Sequence, residues 1–163
     1  MMKSKNSALF IGFLSVLFIC IFYSCKKDVG VNPLLAFSDK ALYDSAKNES
    51  AFVYYQNSQT VHSGTSGPHG PFKLKFNKIA NAALTDNGKL PVGATFPNGS
   101  MVVKVVESTG LYALMYKKEG SWLWAEIDAD GSTYYSVNKD PTVCTSCHSQ
   151  PGNRDLVVSF NFY

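Results

Sequence analysis

The chain has 163 residues, a formal net charge of +3, four cysteines and 45% hydrophobic residues. That length and apolar content suit one folded domain with its own core and exclude a disordered chain. Its 15 basic and 12 acidic residues form no clustered basic segment, which argues against nucleic acid as a partner.

The chain opens with a leader. Lys3 and Lys5 precede an apolar run from Ala8 to Tyr23, and Ser24-Cys25 follows. As a helix the run spans about 24 Å at ~1.5 Å per residue, short of the ~30 Å hydrocarbon core. A cleaved export signal over residues 1–24 is therefore favoured; an uncleaved anchor is the alternative, since flanking residues can stretch a span. The run Ser24-Cys25-Lys26-Lys27-Asp28 resembles bacterial lipoprotein leaders, in which the cysteine is lipidated and becomes the new N-terminus. That resemblance implies lipid on Cys25, membrane contact through the anchor, and a place in the cell envelope of a bacterium, on the periplasmic side of the inner or outer membrane. Acyl chains at ~0.8 kcal/mol per buried methylene would hold it there. Removal of residues 1–24 takes Lys3 and Lys5 with it and lowers the formal charge from +3 to +1.

Residues 25–37 read as a tether and 38–163 as the folded domain. Ser38-Asp39 has the form of a helix N-cap. Ala41, Leu42, Ala46, Phe52, Val53 and Tyr54 follow at roughly helical spacing, predicting one amphipathic helix over about 39–56. His62 to Pro71 is a loop by composition. Phe72-Lys73-Leu74-Lys75-Phe76 alternates as a half-buried strand should, with Lys73 and Lys75 expected on a solvated face. Asn77 to Leu84 reads as a short helix closed by the Asp86-Asn87-Gly88 turn. Met101 to Glu107, Leu111 to Tyr116, Trp122 to Asp128 and Thr133 to Val137 read as strands. Hairpin-grade connections separate them, at Ser108-Thr109-Gly110, Lys118-Glu119-Gly120 and Asp128-Ala129-Asp130-Gly131. Leu156 to Phe162 is expected to form a last strand. The fold class that follows is mainly β (α+β), an antiparallel sheet packed with one or two helices.

Between the last two predicted strands stands Cys144-Thr145-Ser146-Cys147-His148. Cys-x-x-Cys-His is the attachment signature of a c-type haem. Each thiol can form a thioether to a haem vinyl group, and the adjacent imidazole can ligate the iron. Zinc would need two further ligands. The remaining cysteines and histidines are Cys20, Cys25, His62 and His69, the first two in the leader. A thioredoxin-like pair would follow a strand inside a βαβ unit, whereas this pair comes after a run of strands. A plain disulfide remains open in an exported chain. With haem on Cys144 and Cys147, lipid on Cys25 and Cys20 removed, no thiol is left over. The expected cofactor is thus haem c, bound covalently near the C-terminus against one sheet face, with His148 as axial ligand of its iron. Small helical cytochromes c carry the motif near the N-terminus and a ligating Met downstream; here fifteen residues follow His148, with neither Met nor His.

Several segments resemble the cytochrome P-460 family, which includes the β-type cytochromes c-prime. They are His69-Gly70-Pro71-Phe72, Gly88-Lys89-Leu90-Pro91, Phe96-Pro97-Asn98-Gly99-Ser100 leading into Val102-Val103-Lys104, and Trp122-Leu123-Trp124-Ala125-Glu126. Cys144 to His148 and Asn153-Arg154-Asp155 complete the series, which runs from about residue 40 to the end. The resemblance implies a β-rich monohaem fold with thioethers at Cys144 and Cys147, His148 proximal and an open distal face. Some members oxidise hydroxylamine or nitric oxide and carry a lysine cross-link to the haem edge; others bind nitric oxide or carbon monoxide beneath aromatic caps. Lys73, Lys75 and Lys78 lie in the general region of that lysine.

An oxidase needs a proton acceptor within hydrogen-bond reach of its distal ligand. Glu107 and Glu126, on predicted strands, are the catalytic candidates, although strand carboxylates more often face solvent. His62 and His69 are candidates for a sixth ligand, although histidines in such loops are more often exposed. Met101 and Met115 read as core filler. Phe72, Phe76, Phe96, Trp122 and Trp124 are numerous enough to line a haem pocket. The expected function is a lipid-anchored periplasmic monohaem protein that binds or oxidises small nitrogen species, passing electrons to a redox partner protein, with a homodimer left open. The alternative is a six-coordinate c-type cytochrome for electron transfer.

Overall fold

The alternating segments pair in chain order. A computed structural model describes residues 38–64 and 67–158. The export signal, the tether, Cys25 and the end of the last predicted strand lie outside the described residues. Strands β1 (Phe52–Tyr54), β2 (Phe72–Asn77), β3 (Met101–Val106), β4 (Tyr112–Lys118), β5 (Ser121–Ile127) and β6 (Thr133–Tyr135) form one sheet. Their order is β1-β2-β3-β4-β5-β6, every neighbouring pair antiparallel. Helices α1 (Asp39–Lys47), α2 (Lys78–Ala82) and α3 (Thr142–His148) complete the fold. No helix among the described residues is long and apolar enough to cross a membrane. The mainly β, α+β expectation holds, with three α-helices among the described residues where one or two were expected.

The period of two divides the side chains between two faces. On one face Met101, Val103, Leu114, Tyr116, Ala125 and Ile127 meet Leu42, Tyr43 and Ala46 of α1. On the other, Phe72, Leu74, Phe76, Val102, Met115, Trp122 and Trp124 pack with Ala80 of α2, Leu90, Phe96 and Val157, and Cys144 adjoins them. Met101 and Met115 are therefore core residues, on opposite faces.

Helix α1 is shorter than predicted. Ser38 caps it by accepting from the Ala41 N–H at 3.1 Å, and Leu42 and Ala46 are fully buried. The helix stops at Lys47, and Phe52-Val53-Tyr54 pairs with Phe76 and its neighbours as β1. These β-prone residues, read above as the helix end, find ladder hydrogen bonds on β2 that a longer helix would forgo. The last predicted strand also changes: Asp155-Leu156 forms a tight turn bridged by Arg154 and Val157. The Asp86-Asn87-Gly88 turn is present, closed by mutual hydrogen bonds between Asp86 and Lys89.

Lys75 is a further correction. It is fully buried on the α1 face, not solvated. Its ammonium donates to the Ala46 carbonyl at 2.8 Å and to Glu49, with the Phe52 and Tyr112 rings at 5.0 and 5.6 Å. Glu49 also accepts from the Tyr54 hydroxyl, and burial together with this carboxylate pushes Tyr54 up to about 12.

Candidate functional site

Helix α3 brings the motif together. Asp140 begins it, accepting from the Thr142 N–H at 2.9 Å, and Asn153 closes it by donating to the His148 carbonyl at 2.9 Å. Cys144 and Cys147 are three residues apart and Cys144 and His148 four, so all three share one side of the helix. They line one wall of an open pocket whose other walls include Phe72, Leu74, Val102, Met115 and Trp124. The pocket opens to solvent and holds a cavity of about 160 Å³. No disulfide joins Cys144 and Cys147. Burial, and then the negative charge of Glu126, pushes the Cys144 thiol above its ordinary range.

His148 is held on two sides. Its Nδ1 lies 2.6 Å from the Leu156 carbonyl, and Trp124 meets the ring edge-on at 4.6 Å between centroids. A carbonyl only accepts, so Nδ1 carries the proton and Nε2 keeps its lone pair. Burial lowers the imidazole's pKa, outweighing the carbonyl bond that raises it, and Lys104 adds to the lowering. The ring is thus the neutral form that a metal requires.

Three polar side chains interrupt the apolar lining: His69, Lys104 and Glu126. His69 Nε2 lies 3.4 Å from Glu126 Oε1. Burial, with Lys104 and His148 adding, pulls His69 down to about 4, so at neutral pH the contact is not an ion pair. Burial raises Glu126 while Lys104 opposes it. Burial likewise lowers Lys104, whose ammonium sits 4.2 Å over the Phe72 ring.

The register explains which candidates reach the pocket. Glu126 pairs with Ala113 on the pocket face. Glu107 does not reach it: it follows β3 on the opposite parity, is half exposed, and meets Lys73 at 3.4 Å. Lys73, Lys75 and Lys78 do not line the pocket either. Lys73 and Lys75 point to the α1 face, and Lys78 is exposed on α2. Lys104 reaches it because it stands opposite Leu74. The signal for it was a lysine inside the otherwise apolar run Met101 to Val106. His69 is half-buried in the lining, not exposed, whereas His62 pairs with Phe72 outside it. Among the five aromatics, Phe72 and Trp124 line the pocket, while Phe76, Phe96 and Trp122 lie in the core around it.

These residues fit a covalently attached haem: paired thiols one turn apart, a neutral imidazole with a bare nitrogen, and an open apolar pocket between them. Among the described residues no three of His, Cys, Asp and Glu are grouped to hold a metal ion. Comparison of the chain with protein-family models, with curated proteins and with solved structures gave no match.

Proposed function

We propose that this chain is a c-type monohaem protein, with Cys144 and Cys147 as thioether donors and His148 as axial ligand, that binds or oxidises small nitrogen species such as hydroxylamine or nitric oxide. The observation that carries this reading is the convergence of both thiols and a tautomer-defined imidazole on one open, mainly apolar pocket. The resemblance of segments to the cytochrome P-460 family supports it, and the leader with Cys25 supports a lipid-anchored protein of the bacterial envelope.

Held by Cys144, Cys147 and His148, haem c would supply an iron able to take up a small ligand and to exchange electrons. The chain's own residues set the conditions. Trp124 and the Leu156 carbonyl orient His148, and Phe72, Leu74, Val102 and Met115 keep bulk water from the walls. Glu126, with its pKa raised by burial, is the group placed to accept a proton, and neutral His69 beside it is placed to relay one. Lys104 is the lysine placed for a cross-link of the kind some P-460 proteins carry.

The test is maturation in cells with a working c-type assembly system. The purified protein should keep its pigment through acidic acetone, and Cys144→Ala with Cys147→Ala should lose it. A colourless wild-type product would sink the reading. A six-coordinate electron carrier is the second reading, favoured by one observation: neutral His69 lines the same pocket as His148. The spectrum of the reduced protein separates the two. Carbon monoxide should shift it if the distal side is open and leave it unchanged if His69 occupies that side.

A further inference from the structure

Behind His148 lies a buried ion pair that the proposed chemistry does not use. Lys117, at the end of β4, is 3% exposed, and the Asp155 side chain 10%. The Lys117 ammonium reaches both carboxylate oxygens, at 2.8 and 3.0 Å, and lies 4.9 Å from the centre of the Trp122 ring. Asp155 Oδ2 also accepts from the Phe96 N–H at 2.8 Å, and the Asp155 carbonyl accepts from Trp122 Nε1 at 2.9 Å. Asp155 is thus held by partners on β4, on β5 and on the segment before β3.

What this clamp holds is an unusual backbone. Asp155 and Leu156 both have positive φ, 48° and 65°. Two such residues in succession make a turn of the kind that favours Asn, Asp and Gly; leucine resists it through its Cβ. A strained turn of this sort persists only where its surroundings over-determine it. Here the surroundings are the Asp155 clamp on one side and fully buried Val157, bridged to Arg154, on the other. The turn delivers the Leu156 carbonyl onto His148 Nδ1 at 2.6 Å. A buried ion pair seldom stabilises more than an apolar pair of equal volume, so specificity of conformation is the better reason for this one.

We infer that Lys117 and Asp155 are positioning residues for His148. Through the Asp155-Leu156 turn they hold the Leu156 carbonyl on Nδ1 and so leave Nε2 as the nitrogen free to ligate. The tautomer belongs to the chain itself; only its consequence for a ligated iron rests on the haem reading. Removing either partner loosens the turn, and Nδ1 then loses its fixed acceptor. A ligating histidine without that partner is a weaker donor.

The test is nitrogen NMR of the full chain labelled at histidine, in mildly alkaline buffer, paired with resonance Raman of the iron–histidine stretch in pigmented protein. Uncoloured wild-type protein should show His148 as the Nδ1–H tautomer; the Nε2–H form would overturn the inference without any variant. Lys117→Met and Asp155→Asn should mix the tautomers, lower the iron–histidine frequency and raise the reduction potential. Folded variants of Lys117 and Asp155 with unchanged His148 signals would reduce the pair to ordinary packing. Should Lys117→Met fail to fold, Asp155→Asn decides alone, because it keeps the shape and an acceptor oxygen. The two readings fail separately: a colourless chain with the Nδ1–H tautomer defeats the haem and keeps the clamp.

Discussion

Leu74 and Lys104 stand directly opposite each other in the β2–β3 ladder, and their side chains enter the same pocket. One register pair therefore sets an ammonium in an apolar wall, while Lys73 and Lys75, one residue to either side of Leu74, point the other way. A one-residue slip of β2 against β3 would exchange them.

The first prediction follows from that register. Any lysine joined to porphyrin should be found on Lys104. Peptide mapping by mass spectrometry of the pigmented protein checks this, and an adduct on Lys73, Lys75 or Lys78 would contradict the placement of these side chains.

Glu126 is the carboxylate with its pKa raised by burial within the pocket. On the proposed reading, Glu126→Gln should lower hydroxylamine turnover by roughly 10²–10⁴-fold, the usual share of a positioned proton acceptor. Carbon monoxide binding and haem content should persist. Glu107→Gln should leave turnover unchanged, since Glu107 lies on the other side of the sheet. Equal turnover in wild type and Glu126→Gln would remove the proposed base.

His69 sets an expectation for acid stability of the protein without haem. Its folded form is neutral, with a pKa near 4, whereas the unfolded imidazole protonates around 6.5. Between those values the unfolded chain binds the additional proton, so stability falls as pH falls from 6.5 towards 4. The full effect is on the order of 3 kcal/mol. His62 and His148 shift the same way, so His69→Gln should flatten the slope without abolishing it. Urea titrations across that range measure it, and an unchanged slope would show that His69 is not buried neutral.

Asn77 ties three segments together. Its Oδ1 accepts from the Ala80 N–H at 2.9 Å, capping α2, and from the Met101 N–H at 3.0 Å; its Nδ2 donates to the Gly99 carbonyl at 2.8 Å. Asn77→Ala leaves all three groups short of a partner and should cost about 2–3 kcal/mol. Denaturant unfolding would show it; a loss below about 0.5 kcal/mol would mean that water replaces the amide.

Local spacing in the sequence was enough to single out Cys144, Cys147 and His148 as one motif, to show the alternation of β2, and to mark the turns between strands. Those features depend on neighbours within a few residues, so they can be read from the chain alone. Distant packing decided the rest. Phe52 to Tyr54 left the predicted helix because β2, some twenty residues on, offered paired hydrogen bonds. Lys75 is buried because the end of α1 and Glu49 cover its face of the sheet. Glu126 and Glu107 look alike in sequence, yet parity puts one in the pocket and the other outside it. The partner of His148 could not be read at all, because it is a main-chain carbonyl, and the Lys117–Asp155 pair that aims it joins residues 38 positions apart. Alternation tells which residues share a face, but only the elements packed on that face determine whether it meets water, core or ligand.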